Sequence, residues 1–158
     1  MAEQIFIVED GTLTKFEQDD YVEEVYIPDC ASKIGCRAFF EALVGKVVIP
    51  EGVTAIEADA FLDCSLREIE IPCSVRVIET WAFSGCESLK EITIPESVTS
   101  IGPWAIGYSE DHFRPWLDPI PFGCPVIIYG KAGSEAERYT KDNSWCFNEN
   151  ITEFREIG

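Results

Sequence analysis

Few residues in this chain have side chains that could do covalent or metal chemistry. The only histidine, His112, stands beside Glu110 and Asp111, and seven cysteines are spread from Cys30 to Cys146. A histidine next to carboxylates suggests a metal site, and an imidazole paired with a thiol suggests nucleophilic catalysis. Both need a third group held in geometry, and adjacent residues of one loop do not form a facial ligand set. No G-x-S-x-G, H-E-x-x-H or glycine-rich phosphate loop is present. Zinc needs paired ligands at C-x-x-C-like spacing. Cys30 and Cys36 flank Ile34, but no second pair follows. The reading is therefore not an enzyme, with no metal and no cofactor. The weakest alternative is an enzyme using His112 with a cysteine.

Whatever these residues do, a repeat must position them. Leu66, Ile69, Ile71, Pro72, Val75, Ile78, Ala82 and Phe83 return 23 residues later as Leu89, Ile92, Ile94, Pro95, Val98, Ile101, Ala105 and Ile106. Backwards the offset is 22, giving copies from Val44 to Phe61 and from Val22 to Phe39. Four copies thus lie between Tyr21 and Ile106, and a period of this size marks a repeat array.

The unit reads L-x-x-I-x-I-P-x-x-V-x-x-I-x-x-x-A-F-x-x-C. Alternation at Ile69 and Ile71 puts both side chains on one face of a short strand, with Glu70 on the other. Pro72 lacks a backbone donor and ends or bends that strand. Val75 and Ile78 supply a second inward pair, and Ala82 and Phe83 begin a tight turn. One such coil cannot bury its apolar face, whereas stacked coils bury it as ladders about 4.8 Å apart. Ile71, Ile78, Phe83 and Ile94 are expected to be almost fully buried. Cys64 and Cys86 share a column with Ala42 and Ser109, which reads as a small buried site for free thiols. A bridge between them is geometrically open if neighbouring coils bring them about 5 Å apart.

These columns resemble the leucine-rich repeats of the BspA-like class, also called the Treponema pallidum type. The matching residues are the I-P pairs at Ile49–Pro50, Ile71–Pro72 and Ile94–Pro95, the V-T-x-I of 53–56 and 98–101, and the A-F-x-x-C of 60–64 and 82–86. No asparagine follows the strand, unlike the commoner leucine-rich pattern. The resemblance implies a curved, right-handed solenoid used for binding and adhesion, and it implies no catalytic residues. The expected class is an α/β repeat: a short leucine-rich-repeat solenoid with a parallel sheet, an N-terminal hairpin cap and a C-terminal helix cap.

Acidic residues outnumber basic ones 29 to 12, for a formal net charge of −17. That excludes nucleic acid, whose phosphates require lysine and arginine clusters, and anionic membrane surfaces. Acidity keeps a repeat surface soluble and monomeric. No apolar run is long enough to span a membrane, and the start, MAEQIFIVEDG, lacks a signal-peptide pattern. The chain as given reads as cytoplasmic, and as surface-exposed or secreted if a leader was removed.

The whole of 1–158 reads as one domain. Residues 1–20 form an N-cap, with Asp10-Gly11 as a hairpin turn between apolar runs. The four repeats occupy 21–106. The strand at 126–128 replaces the Ile92 and Ile94 columns at an offset of 34, so an insert occupies 107–123. Residues 124–158 hold that strand, a helix started by a Ser134-x-x-Glu137 capping box and running to about Asp142 with Ala136 and Tyr139 inward, a short strand at 145–147, and a loose tail from Ile151.

Two surfaces are expected to bind a partner, a protein or a glycan. One is the open sheet face, with the outward columns Tyr26, Val48, Glu70, Thr93 and Glu24, Lys46, Glu68, Glu91. The other joins Trp81 and Trp104, which fall in one column with Arg37 and Asp59, to the aromatic insert with Phe113, Trp116 and Phe122. The alternative to such an interaction module is a structural or self-associating regulatory unit.

Overall fold

A computed structural model describes residues 4–107, 125–142 and 152–158, and every contact below is among those residues. His112, Phe113, Trp116, Phe122 and the strand expected at 145–147 lie outside them.

Each coil is two short strands joined through its proline. The first strands are β3 (Val22–Tyr26), β5 (Val44–Val48), β7 (Glu68–Glu70) and β9 (Glu91–Thr93). The second strands are β4 (Lys33–Ile34), β6 (Ala55–Ile56), β8 (Val77–Ile78) and β10 (Ser100–Ile101). Between them the proline carbonyl accepts the N–H three residues on: Pro28 from Ala31 at 3.0 Å, Pro72 from Val75 at 3.2 Å and Pro95 from Val98 at 3.1 Å. A residue with no donor thus sits where the chain turns and needs only an acceptor.

The second strands form a back sheet in the order β1-β2-β4-β6-β8-β10. Its first members are the hairpin β1 (Gln4–Glu9) and β2 (Thr12–Gln18), antiparallel to each other. Asp10 and Gly11 both have positive φ, 49° and 77°, as a hairpin turn matched to strand twist requires. β2 does more than cover the first coil: Leu13 pairs with Ile34 in parallel, so β2 is itself half a coil.

The front sheet is in two pieces, β3-β5-β7 and β9-β11-β12. β11 is Val126–Gly130 and β12 is Thr152–Glu156. β7 and β9 lie side by side without a shared ladder among the described residues, leaving a groove lined by both. Ile71 lies at this break and is half-buried, not enclosed as expected. Ile78, Phe83 and Ile94 are buried.

The core is a set of residue ladders. The longest is aromatic: Phe6, Phe16, Phe39, Phe61 and Phe83 follow one another at ring spacings of 5.1, 4.9, 4.8 and 5.1 Å. That is the spacing of strands in a sheet, so the rings ride the backbone repeat. The column ends at Ile106, whose N–H donates to the Tyr139 hydroxyl at 2.9 Å and whose carbonyl accepts that hydroxyl at 3.1 Å. Tyr139 lies on α1 (Glu135–Asp142), which packs on β10 and β11 and buries Ala136 and Tyr139. Glu135 on the same helix accepts the Ile101 N–H at 2.9 Å. The Arg138 guanidinium holds the Glu135 carboxyl below its ordinary value, with the Ile101 bond helping.

Four other expectations need correction. The described elements are a parallel-strand solenoid with one helix, mostly strand and not an α/β alternation. The tail from 152 is a strand, because β11 offers an open edge and β12 pairs with it in parallel along its whole length. Ile128 sits opposite Ile92, an offset of 36 and not 34. The capping box is displaced by one residue: Glu137 accepts the Gly133 N–H at 2.7 Å, while the Ser134 hydroxyl is buried without a partner.

Candidate functional site

The turn that follows each back strand carries one position of unusual geometry. Arg37, Asp59, Trp81 and Trp104 all have positive φ, between 54° and 58°. An L-residue held there is strained by roughly 1–2 kcal/mol, and for a bulky side chain the conformation is rare. The backbone imposes it. The carbonyls of Arg37, Asp59 and Trp81 accept the N–H three residues on, from Phe40 at 3.1 Å, Leu62 at 3.0 Å and Ser84 at 3.0 Å. The four side chains therefore leave the solenoid along one edge.

The structure brings the two tryptophans of this column together as expected. Their rings stack at 5.9 Å with 27° between planes, and both are half-buried. Their neighbours are an ion pair, with Arg37 Nε 3.5 Å from Asp59 Oδ2. Trp81 Nε1 and Asp59 Oδ1 are both buried without a protein partner. The edge thus reads Arg-Asp-Trp-Trp over a backbone that does not change.

Tyr26, Glu70 and Glu91 fall on the front sheet, a different arc of the coil. Glu24 pairs with Lys46 and Lys46 with Glu68; Tyr26 pairs with Val48 and Val48 with Glu70. Tyr26 is 63% exposed. Lys46 is the hub of this face, with Nζ 2.6 Å from Glu70, 3.2 Å from Glu68 and 3.5 Å from Glu24. Its hydrogen bonds to Glu70 and then Glu68 raise the lysine above its usual range, and the Glu24 hydrogen bond raises Tyr26. Glu91 lies across the break between β7 and β9. Of the described site residues, Trp81 and Trp104 lie on the turn edge and Tyr26, Glu70 and Glu91 on the front sheet.

The thiols are structural where they are enclosed. Cys64 and Cys86 are buried and unbridged. Burial pushes the Cys64 thiol up to about 12, away from the thiolate a nucleophile needs. Cys86 donates to the Phe61 carbonyl at 3.1 Å. Cys30, Cys36 and Cys73 are exposed. Among the described residues no three His, Cys, Asp or Glu side chains gather as a metal site, and no helix is long and apolar enough to cross a membrane.

Comparison with known proteins agrees with this geometry. A family profile described as BspA type leucine rich repeat region matches in six copies over residues 13–111. The match begins at Leu13, where β2 joins the back sheet. Nothing among curated protein sequences matches the chain. Among solved structures it is similar to a leucine-rich cell surface protein from Faecalibacterium prausnitzii, at 21% identity and a TM-score of 0.67, over 98% of this chain and 38% of that one. It is also similar to the pneumococcal vaccine antigen PcpA, at 17% identity and a TM-score of 0.52, over 97% of this chain and 46% of that one. The chain therefore spans less than half the length of these two proteins, and at such identities the likeness is one of fold. The family match covers more than half of the chain, and the ladders within it are the coils described above: the chain belongs to the BspA-type leucine-rich-repeat family.

Proposed function

We propose that this chain is a non-enzymatic interaction module of the adhesion type, which takes a protein partner, or a glycan, on the turn edge carrying Trp81 and Trp104. The observation that supports it is the stacked indole pair held in a backbone conformation that bulky residues rarely adopt. Strained positions of this kind gather at ligand-contact sites, and paired indoles are the side chains that most often anchor an interface. The proposal counts Phe113 and Trp116 among the binding residues, and the front-sheet residues Tyr26, Glu70 and Glu91 make a secondary contact. Lys46 already neutralises much of that face, which is why the tryptophan edge ranks first. One structural neighbour is a cell surface protein, which supports action at a cell surface. The proposal takes 1–158 as one monomeric domain, with α1 as its C-terminal cap.

The test is direct binding of the purified chain to arrayed extracellular proteins and glycans, followed by the Trp81→Ala/Trp104→Ala double variant. The expected outcome is a partner whose affinity falls about thirtyfold in the double variant. A partner held equally by parent and variant would overturn the assignment of this edge.

A further inference from the structure

The N-terminal end of the solenoid is built unlike any later coil. β1 and β2 carry the back sheet past the first coil, but β3 is the outermost strand of the front sheet. No strand pairs with its outer side among the described residues. At the start of β3 a cleft of about 470 Å3 opens between residues 17–20 and 40–43, with Ile5 at its wall.

Three large apolar side chains are exposed here: Ile5 by 43%, Phe40 by 42% and Leu43 by 53%. The repeat does not require them. The column of Leu43 holds Ser65 and Ser88 in later coils, and the column of Phe40 holds the buried Leu62 and Ser84. Around them stand Asp19, Asp20 and Glu41, which form no ion pair among the described residues. The nearby cations are already matched. Lys15 is held by Glu17, and Arg37 is paired with Asp59 while lying 5.6 Å over the Phe40 ring. An open strand edge, a cleft carrying three exposed apolar side chains and unneutralised carboxylates therefore meet at one place.

We propose that this end is a strand-docking site for an extended peptide of a partner protein in which lysine or arginine alternates with apolar residues. Added to β3, such a peptide takes main-chain hydrogen bonds from the edge, which give affinity without regard to sequence. Its apolar side chains are received by Phe40 and Leu43, and its cations by the carboxylates that line the same cleft. Asp19, Asp20 and Glu41 steer and select the basic segment. The same carboxylates repel acidic strands, including a second copy of this chain with its charge of −17. The cleft touches the tryptophan edge only through Arg37, two coils from Trp81, and either site can fail without the other.

The test uses a fluorescently labelled heptapeptide of alternating lysine and leucine, with glutamate replacing lysine as the control, read by anisotropy. The parent should bind the lysine peptide saturably, one to one, and ignore the glutamate peptide. Leu43→Ser installs the residue the later coils carry, and Asp19→Asn/Asp20→Asn removes two carboxylates at the cleft. Each should weaken binding about tenfold or more. Asp29→Asn/Glu51→Gln makes the same change in net charge at the exposed proline turns and should leave binding unchanged. Amide exchange along β3 should slow in the complex. No saturable binding would overturn the proposal, as would a loss equal in both charge variants or an affinity unmoved by Leu43→Ser.

Discussion

Two columns run the length of the same turn, two residues apart in the chain, and they obey different rules. The phenylalanine column is enclosed: Phe39, Phe61 and Phe83 are the same residue in three coils, stacked and buried. The column of Arg37, Asp59, Trp81 and Trp104 has an equally constant backbone, with φ within a few degrees of 56°, and changes residue almost every coil. The backbone is therefore not what fixes residue type. Enclosure is. A ring with a ring above and below can only be replaced by another of its shape, whereas a side chain leaving the edge is free to serve a partner. A column constant in conformation and variable in chemistry is where such a repeat can vary its contacts without disturbing its core.

The sharpest way to break this comparison is to open the enclosed column. Phe61 is fully buried between two rings. Phe61→Ala should lower stability by about 3–5 kcal/mol, read from chemical denaturation. A loss below about 1 kcal/mol would mean that the stack is loose enough to collapse and that enclosure does not explain its uniformity.

The column also has to end. Tyr139 ends it with a hydroxyl that serves both the N–H and the carbonyl of Ile106. Tyr139→Phe keeps the ring and removes the hydroxyl, leaving two buried backbone groups without that partner. The expected cost is about 1–3 kcal/mol, with amide exchange at Ile106 rising more than at Phe61. Equal exchange at both sites would show that the column is not closed from this end.

Much of the enclosed column was legible in the sequence, because burial repeats residue types. Val53, Ile56, Ala60 and Phe61 recur, so their ladder can be counted. The early half-coil was not legible. Leu13 precedes Ile34 by 21 residues while Phe16 precedes Phe39 by 23, and the strong Asp-Gly turn made β2 read as a cap alone. The register of β11 was missed for a different reason. A slip of two residues keeps every side chain on its own face, so Val126 and Ile128 point inward in either register. The tail at 152–156 pairs through backbone groups, which carry no residue signature. At the tryptophan edge the column itself was visible, but its conformation was not. Left-handed φ is announced by glycine, asparagine or aspartate, so Asp59 hints at it while Arg37, Trp81 and Trp104 announce nothing.

The open column is tested by coupling and not by loss. Trp81→Ala and Trp104→Ala leave the residue in the same left-handed conformation, so the strain stays and only the contact goes. A stacked pair at 5.9 Å should show a coupling of about 0.5–1.5 kcal/mol in a double-mutant cycle. Zero coupling would make the two indoles independent neighbours, and the edge would lose its claim to be one surface.

The smallest effect is expected at a second left-handed column in the same turn. Glu41, Asp63 and Gly85 have φ of 54°, 55° and 71°. At Gly85 a Cβ would stand 1.8 Å from Asp63 Oδ1 and 3.0 Å from Asp63 Cα, so glycine is needed there twice over, for room and for φ. Glu41 is exposed and has only the strain. Glu41→Gly should relieve about 1–2 kcal/mol of it and give back about 0.5–1 kcal/mol through the greater freedom of glycine in the unfolded chain. The net is a gain of about 0–1.5 kcal/mol, or a rise of a few degrees at most in melting temperature. Gly85→Ala should go the other way. The pair separates two reasons for a residue in one column, since a glutamate kept against its own backbone preference has to be explained by its carboxylate. If Glu41→Gly raises the melting temperature and also weakens the lysine–leucine peptide, the strain at Glu41 is the cost of holding a charge at the cleft. If it lowers stability, Glu41 is part of the fold, and strain does not distinguish the open columns from the enclosed one.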